Sequence, residues 1–315
     1  MVDAPGFPSW QEMQSSPWLE KIAAEMEKGI WPTECCRCQD TELIGKKSIR
    51  LFSQDRHNIL KSLREDYLIL GGILDNVCNS ACQSCNPNLS TKIGSLVDAR
   101  NYPRADNSGL LSTLPLDRIL EIDLNGGEPT ASPRYQQLLE DLPPNVKILR
   151  INTNGSRVLP NLENILKSGV QVLITLSLDG TGLVHDYVRW PIRWKNYTAI
   201  VSRYRELKSQ YRNLKLEAWT TLHALNAEDF PNIKRYAQDN ELDHSWAWLN
   251  LPAELDARAS NPMTRSARKK LLAHDDPEMV KIAQQLAQGE DNTEMLDRRI
   301  QEQDQLRNIN MRDYI

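Results

Sequence analysis

No stretch of the 315-residue chain approaches the roughly eighteen consecutive apolar residues that a membrane-spanning helix needs, so no span is expected. Histidine is scarce, five in all, and none lies close in sequence to the cysteines. A mixed His and Cys zinc site therefore has too few local ligands. Cationic excess is also missing: 38 basic against 42 acidic residues leave a formal charge of -4. That balance makes no case for nucleic acid as a partner beyond a local basic patch. The opening MVDAPGFPSWQEMQSS lacks a basic region followed by an apolar core. No secretory signal is expected, and the cytoplasm is the expected compartment.

What the chain does have is six cysteines in two groups, Cys35, Cys36 and Cys38 in WPTECCRC, then Cys78, Cys82 and Cys85 in LDNVCNSACQSCNP. A disulfide framework is out of place in a large chain without export, and adjacent Cys35 and Cys36 are badly placed to pair with each other. Clustered thiols in a reducing compartment point to ligands.

Along the chain, residues 1–66 are read as an N-terminal helical, cysteine-containing segment. Ser16 and Pro17 open a helix there and Gly29 stops it, with Trp18, Leu19, Ile22, Ala23 and Met26 as an apolar stripe that should dock it on a larger domain. From 67 to 250 short apolar runs alternate with helical stretches. Strands are expected over 67–74, 119–124, 146–152, 172–178, 214–222 and 245–249, and helices over 134–142, 159–168, 194–210 and 231–240. Such β/α units predict an α/β fold with a parallel sheet, open or curled into a partial barrel, with its sites along the edge after the strands. Residues 251–315 form a charged helical extension in which Leu296, Ile300, Leu306 and Ile309 give an imperfect apolar face, as in a covering helix.

The second cysteine group follows the first strong strand with the spacing C-x3-C-x2-C. Structural zinc takes four ligands and this loop offers three, whereas three thiolates on a four-iron cluster leave one iron open for chemistry. Asn76, Asn79, Asn86 and Asn88 crowd the loop with groups that bond backbone amides in turns, and Pro87 ends it. After the second strand, Gly126, Gly127, Glu128 and Pro129 combine backbone that a ligand can approach with a carboxylate able to accept from an ammonium. The next two strand ends, INTNG and LSLDG, supply Thr153 and Asn154, then Ser177 and Asp179, groups suited to ribose oxygens.

This series of motifs resembles the radical S-adenosylmethionine superfamily. The resemblance implies a partial (β/α)6 TIM-like barrel and a [4Fe-4S] cluster on Cys78, Cys82 and Cys85, with S-adenosylmethionine chelating the unique iron. Reductive cleavage to a 5'-deoxyadenosyl radical, fed by a flavodoxin or ferredoxin type electron donor, is the implied chemistry. It further implies that Glu128 and its GGEP turn meet the methionine amino group, that Thr153, Asn154, Ser177 and Asp179 line ribose and methionine, that Arg189 in HDYVRW pairs with the carboxylate, and that Trp248 lies by the adenine. The residue before the last cysteine, often aromatic in the superfamily, is Ser84 here.

WPTECCRC with Glu42, Gly45, Ser48 and Arg50 resembles a phage and bacterial subgroup with a twitch or SPASM-like auxiliary cluster segment. The further cysteines of that subgroup are missing, so Cys35 and Cys38 are expected either to hold a second metal site with a non-cysteine ligand or to be the remnant of one. Cys36 is a candidate hydrogen-atom donor. Trp219, Thr221 and His223 alternate on the fifth strand, and His244, Trp246 and Trp248 on the sixth. Both faces are candidates to look into the barrel, with His223 or Glu217 as proton acceptor. Without a recognisable leader-binding domain, the expected substrate is a small polar biosynthetic intermediate undergoing oxidation, epimerisation or rearrangement. The alternatives are a ribosomal peptide as substrate, or a non-catalytic, metal-bearing interaction protein.

Overall fold

A computed structural model describes residues 9–43, 45 and 47–315. Residues 1–8, half of the stretch read for a targeting signal, lie outside the described residues. Among the described residues no helix is long and apolar enough to cross a membrane.

The chain divides into two compact units, one of residues 1–70, 107–122 and 143–146, the other of 71–106, 123–142 and 147–315. In the first, helix Pro17–Glu27 begins with proline in its first turn, where the missing N–H is not needed, and gives way to Gly29 at positive φ. Its apolar stripe is only half-buried at Trp18, Leu19 and Ile22, and exposed at Ala23 and Met26. Helix Ile49–Leu63 starts where the Ser48 hydroxyl accepts from the Leu51 N–H at 3.3 Å.

Six strands follow: β1 (Leu68–Ile73), β2 (Ile119–Asn125), β3 (Ile148–Thr153), β4 (Gln171–Ser177), β5 (Leu214–Leu222) and β6 (Asp243–Trp248). They are ordered β1-β2-β3-β4-β5-β6, and β3 to β6 are registered in parallel, with Ile151 opposite Ile174 and Ile174 opposite Leu216. Sequential parallel strands require a helical return each time, which the helices Pro133–Glu140, Leu162–Lys167, Trp194–Gln210 and Phe230–Asp239 supply. The result is the open, partial (β/α)6 barrel expected from the sequence.

One face of this sheet is buried. Leu149, Ile151, Val172, Ile174, Leu176, Leu214, Leu216 and Ala218 alternate along β3 to β5 and form the core with Tyr197, Val201 and Tyr204 of helix Trp194–Gln210. The residues between them, including Asn152, Thr175, Glu217 and Trp219, occupy the other, open face, where Trp219 is 42% exposed.

On β6 the expected inward face is corrected. Its register sets His244, Trp246 and Trp248 beside Ala218, Thr220 and Leu222, which are fully or almost fully buried, so all three share the helix side. There Phe230 packs 5.8 Å from the His244 ring and 5.5 Å from Trp246, whose indole N–H donates to Glu278 at 3.0 Å. Ser245 and Ala247 take the open face instead.

Fully buried Tyr135, on helix Pro133–Glu140, ties the ends of two strands together. Its hydroxyl accepts from the Leu74 N–H at 3.1 Å and donates to the Asn125 carbonyl at 2.7 Å. Tyr135→Phe strands both backbone groups and is expected to cost about 1–3 kcal/mol in denaturant unfolding.

Candidate active site

The asparagines around the cysteines build the loop that carries them. Asn76 is buried, donating to the carbonyls of Asn88 at 3.1 Å and Pro103 at 3.0 Å and accepting from the Ala105 N–H at 2.9 Å. Asn79 donates to the Ser156 hydroxyl at 3.0 Å and accepts from the Asn154 amide at 2.8 Å, and Asn86 turns the chain by accepting from the Asn88 N–H at 2.9 Å. The Ser90 hydroxyl closes the loop on the Ser80 carbonyl at 2.7 Å.

The GGEP turn meets this loop through its backbone. Gly126 and Gly127 have φ of +84° and +56°, and a Cβ on Gly127 would stand 2.6 Å from the Val77 carbonyl oxygen. The same oxygen accepts from the Glu128 N–H at 2.7 Å. Only glycine satisfies both the conformation and the approach. Glu128 is 1% exposed. Its Oε1 accepts from the Thr130 N–H at 3.0 Å and from the hydroxyls of Thr130 at 2.8 Å and Thr153 at 2.7 Å, and its Oε2 accepts from the Asn154 N–H at 2.6 Å. The carboxylate thereby joins the turn after β2 to the turn after β3, and most of its accepting capacity is taken by the protein itself.

At the end of β4, Asp179 accepts from the Arg189 guanidinium at 2.8 Å and from the Thr221 N–H at 2.8 Å. Burial opposes the Arg189 charge, but Cys82 and Asp179 beside it hold its pKa above the ordinary value. Asn226, which follows β5, braces this corner by donating to the carbonyls of Asp179 at 3.0 Å and Thr221 at 2.9 Å.

These elements enclose a cavity of about 250 Å3. It is lined by Cys78, Cys82 and Cys85 together with Gly126, Gly127, Glu128, Thr153, Asn154, Ser177 and Arg189. Pro129 continues the turn and Asp179 stands behind Arg189; Trp248 is not on the lining and packs 5.3 Å from Trp246. Ser80 and Asn152 line the cavity as well, Ser80 with its hydroxyl 3.3 Å from the Cys78 sulfur. The position of Ser80 inside the C-x3-C segment was the one available signal.

The donor set fits the group that the motifs imply. Three thiols, Cys78, Cys82 and Cys85, line one cavity, and thiolates are the donors that a polynuclear iron-sulfur group takes. Among the described residues the buried Arg189 Nε has no partner, leaving a donor of the guanidinium for a bound group.

The remaining candidates lie elsewhere. Glu217 is half-buried on the open sheet face, 3.5 Å from the Thr175 hydroxyl, and burial raises its pKa against the pull of Arg150. His223 is fully buried, and its Nδ1 accepts from the Leu225 N–H at 3.2 Å, which leaves Nε2 to carry the ring proton. Burial pushes its pKa down to about 4, so near neutral pH it is an uncharged donor. Cys35, Cys36 and Cys38 belong to the first unit, in the turn Thr33–Cys35 and helix Cys36–Leu43, with Cys36 exposed. Burial and neighbouring Cys38 raise the Cys35 pKa. The other residues of that motif lock the segment: Glu42 accepts from Ser48 and from Arg50, and Arg50 lies 5.0 Å from the Trp31 ring centre.

The cavity's construction makes two outcomes measurable. Gly127→Ala forces a Cβ against the Val77 carbonyl, and thermal unfolding should show a loss of about 1–3 kcal/mol together with reduced iron uptake on reconstitution. Burial, then Cys82, pushes the Cys85 thiol up to about 12 from the ordinary 9.0, and burial also raises Cys78. A thiol that ionises first in the unfolded chain contributes stability fully below pH 9 and loses it as pH climbs toward about 12. Metal-free protein should weaken over that window in guanidinium unfolding, and Cys85→Ser should make the decline shallower.

No family model matches the sequence. Mycofactocin maturase MftC of Mycobacterium tuberculosis (strain ATCC 25618 / H37Rv) is 26% identical over 117 residues, 37% of this chain and 29% of that protein. Among solved structures, Streptococcus suis SuiB bound to S-adenosylmethionine is similar at TM-score 0.46 and 14% identity, covering 82% of this chain and 59% of that one. SuiB bound to precursor peptide SuiA gives 0.43 at 15%, covering 74% and 52%. Native anSMEcpe with bound AdoMet gives 0.42 at 18%, covering 58% and 52%. The chain thus spans less than a third of the curated relative it matches and about half of these structures. The C-x3-C-x2-C loop, the GGEP turn and the Asp179–Arg189 pair, the motifs through which the sequence resembles the radical S-adenosylmethionine superfamily, meet in or beside one cavity at the strand ends.

Proposed function

We propose that the protein is a radical S-adenosylmethionine enzyme acting on a ribosomally made peptide. The observation that carries the chemistry is the single cavity in which three thiols, a glycine-lined backbone turn and a buried guanidinium come together. When bound there, a reduced four-iron, four-sulfur cluster supplies the electron that splits S-adenosylmethionine into methionine and a radical able to take a hydrogen atom from substrate.

The chain's own residues bind and orient. Cys78, Cys82 and Cys85 hold the cluster. Arg189, fixed by Asp179, offers a guanidinium suited to a carboxylate, and Gly126 and Gly127, closed against Ile73 and Val77, set the backbone turn that lines the cavity. Thr153 and Ser177 stand at neighbouring strand ends on the cavity wall, while Glu128 ties the Thr153–Asn154 end to its own turn after β2.

The small-metabolite expectation gives way to the peptide alternative. The curated relative is a maturase, and the open sheet face beside the cavity offers a broad polar and aromatic surface, with Asn152, Glu217 and Trp219 along it. Such a surface suits an extended chain. A flavodoxin or ferredoxin type protein is the proposed electron donor, and a second metal at Cys35 and Cys38 remains part of the proposal.

Anaerobic reconstitution should load about four irons per chain if only Cys78, Cys82 and Cys85 hold a cluster, and clearly more if Cys35 and Cys38 are also occupied. A strong reductant with S-adenosylmethionine should then release 5'-deoxyadenosine. Release that persists after Cys78→Ala, Cys82→Ala and Cys85→Ala are combined would overturn the assignment, and no release from the loaded wild type would favour the non-catalytic alternative. Peptides encoded next to the gene, deuterated at candidate carbons, should pass label into 5'-deoxyadenosine. Label arriving only from a small metabolite would restore the other substrate class.

A further inference from the structure

The charged C-terminal helix does more than cover the domain. Helix Thr293–Arg307 buries Leu296 and Ile300, and Arg307, only 5% exposed, goes in with them. The Arg307 Nε and Nη2 donate to the Ala81 carbonyl at 2.9 and 2.8 Å, and Nη2 reaches the Cys82 carbonyl at 3.3 Å. Two turns earlier Arg299 donates to the Gln83 carbonyl at 2.8 Å. On the amide side, the Ala81 N–H donates to the Trp190 carbonyl at 2.7 Å and the Gln83 N–H to the Val188 carbonyl at 2.9 Å. The middle of the C-x3-C-x2-C loop is therefore held from both directions.

Charge gives the arrangement its meaning. Neither guanidinium is in an ion pair among the described residues: Glu254 and Glu302 act on Arg299 from a distance, and Asp304, engaged with the Tyr187 hydroxyl at 2.9 Å, acts on Arg307. A buried cation without a nearby anion is costly, and neutral carbonyls meet only part of that cost. The charge that acts most on Arg307 is that of Cys82, whose carbonyl it holds, and three thiolates with a bound cluster would carry net negative charge there.

We infer that Arg307 and Arg299 are positioning residues for the cysteine loop, which fix the carbonyls of residues 81–83 and supply the positive charge that offsets the anionic group the loop holds. The inference rests on the reading that Cys78, Cys82 and Cys85 bind a cluster. Reduction brings one electron from the external donor and transfers no atom, so it adds one negative charge beside these guanidiniums. Their presence favours the reduced form.

The test uses Arg307→Met, Arg307→Lys and Arg299→Met in the full chain. In metal-free protein, amides of residues 81–83 should exchange on the order of tenfold faster in both methionine variants. In reconstituted protein, an EPR-monitored titration should place the cluster midpoint at more negative potential in both. Arg307→Lys, which keeps the charge and loses the fork, should recover the wild-type midpoint without recovering slow exchange. A wild-type midpoint in Arg307→Met and Arg299→Met overturns the inference, as does wild-type exchange in both. If Arg307→Met does not fold, half-buried Arg299 decides the outcome by the same two measurements. If the wild type itself takes up no iron, the functional reading has failed, while exchange in the metal-free protein still decides the clamp.

Discussion

The site depends on one buried carboxylate. Glu128 projects from the turn after β2, and both of its oxygens accept from donors, Asn154 N–H and the Thr153 hydroxyl being those at the end of β3. Its own N–H holds the Val77 carbonyl, one residue before the first cysteine of the loop. A single side chain and its backbone thus set three segments distant in sequence against one another. An uncompensated carboxylate here would be expensive, so the donors of the Thr-Asn segment and the acid require each other.

A second constraint is electrostatic. The cysteine loop is backed by cations and not by hydrocarbon: Arg189 is paired with Asp179, while Arg299 and Arg307 are directed at carbonyls. A loop built to hold neutral thiols would gain nothing from this, because thiols neither need nor repay buried guanidiniums. A loop built to hold thiolates on an electron-accepting group gains twice, in binding the group and in tolerating the charge that reduction adds. The same logic accounts for the asparagines around it, whose amides supply backbone hydrogen bonds without adding charge.

Much of this was legible in the sequence, because the signals are local. The strand β5 and the helix Trp194–Gln210 fall where hydrophobic period and length put them, and the other strands lie within two residues of their expected ends. The cysteine spacing and the GGEP, TNG and SLDG turns were recognisable because each follows a strand, and parallel topology gathers those ends on one edge. The face of β6 was not legible. His244, Trp246 and Trp248 alternate as an inward row would, and only the register with Ala218, Thr220 and Leu222 shows that the row faces the helices. Arg307 was hidden for a different reason: arginine in a polar helix reads as solvated, and nothing local distinguishes it from its exposed neighbour Asn308.

The sequence by itself determined the cysteine spacing, the alternation of strands and helices, and the glycine-rich and polar turns that follow the strands, since spacing and period are written along the chain. Tertiary structure alone decided which polar groups are used up and which are left to act. Glu128 became a brace because Thr153 and Asn154 fold against it, and His223 became a donor because Leu225 takes its other nitrogen. Arg299 and Arg307 became part of the site because a helix more than two hundred residues from the cysteine loop in sequence packs with its buried face toward that loop's carbonyls. Partners at that separation are set by packing, and no pattern in the sequence encodes them.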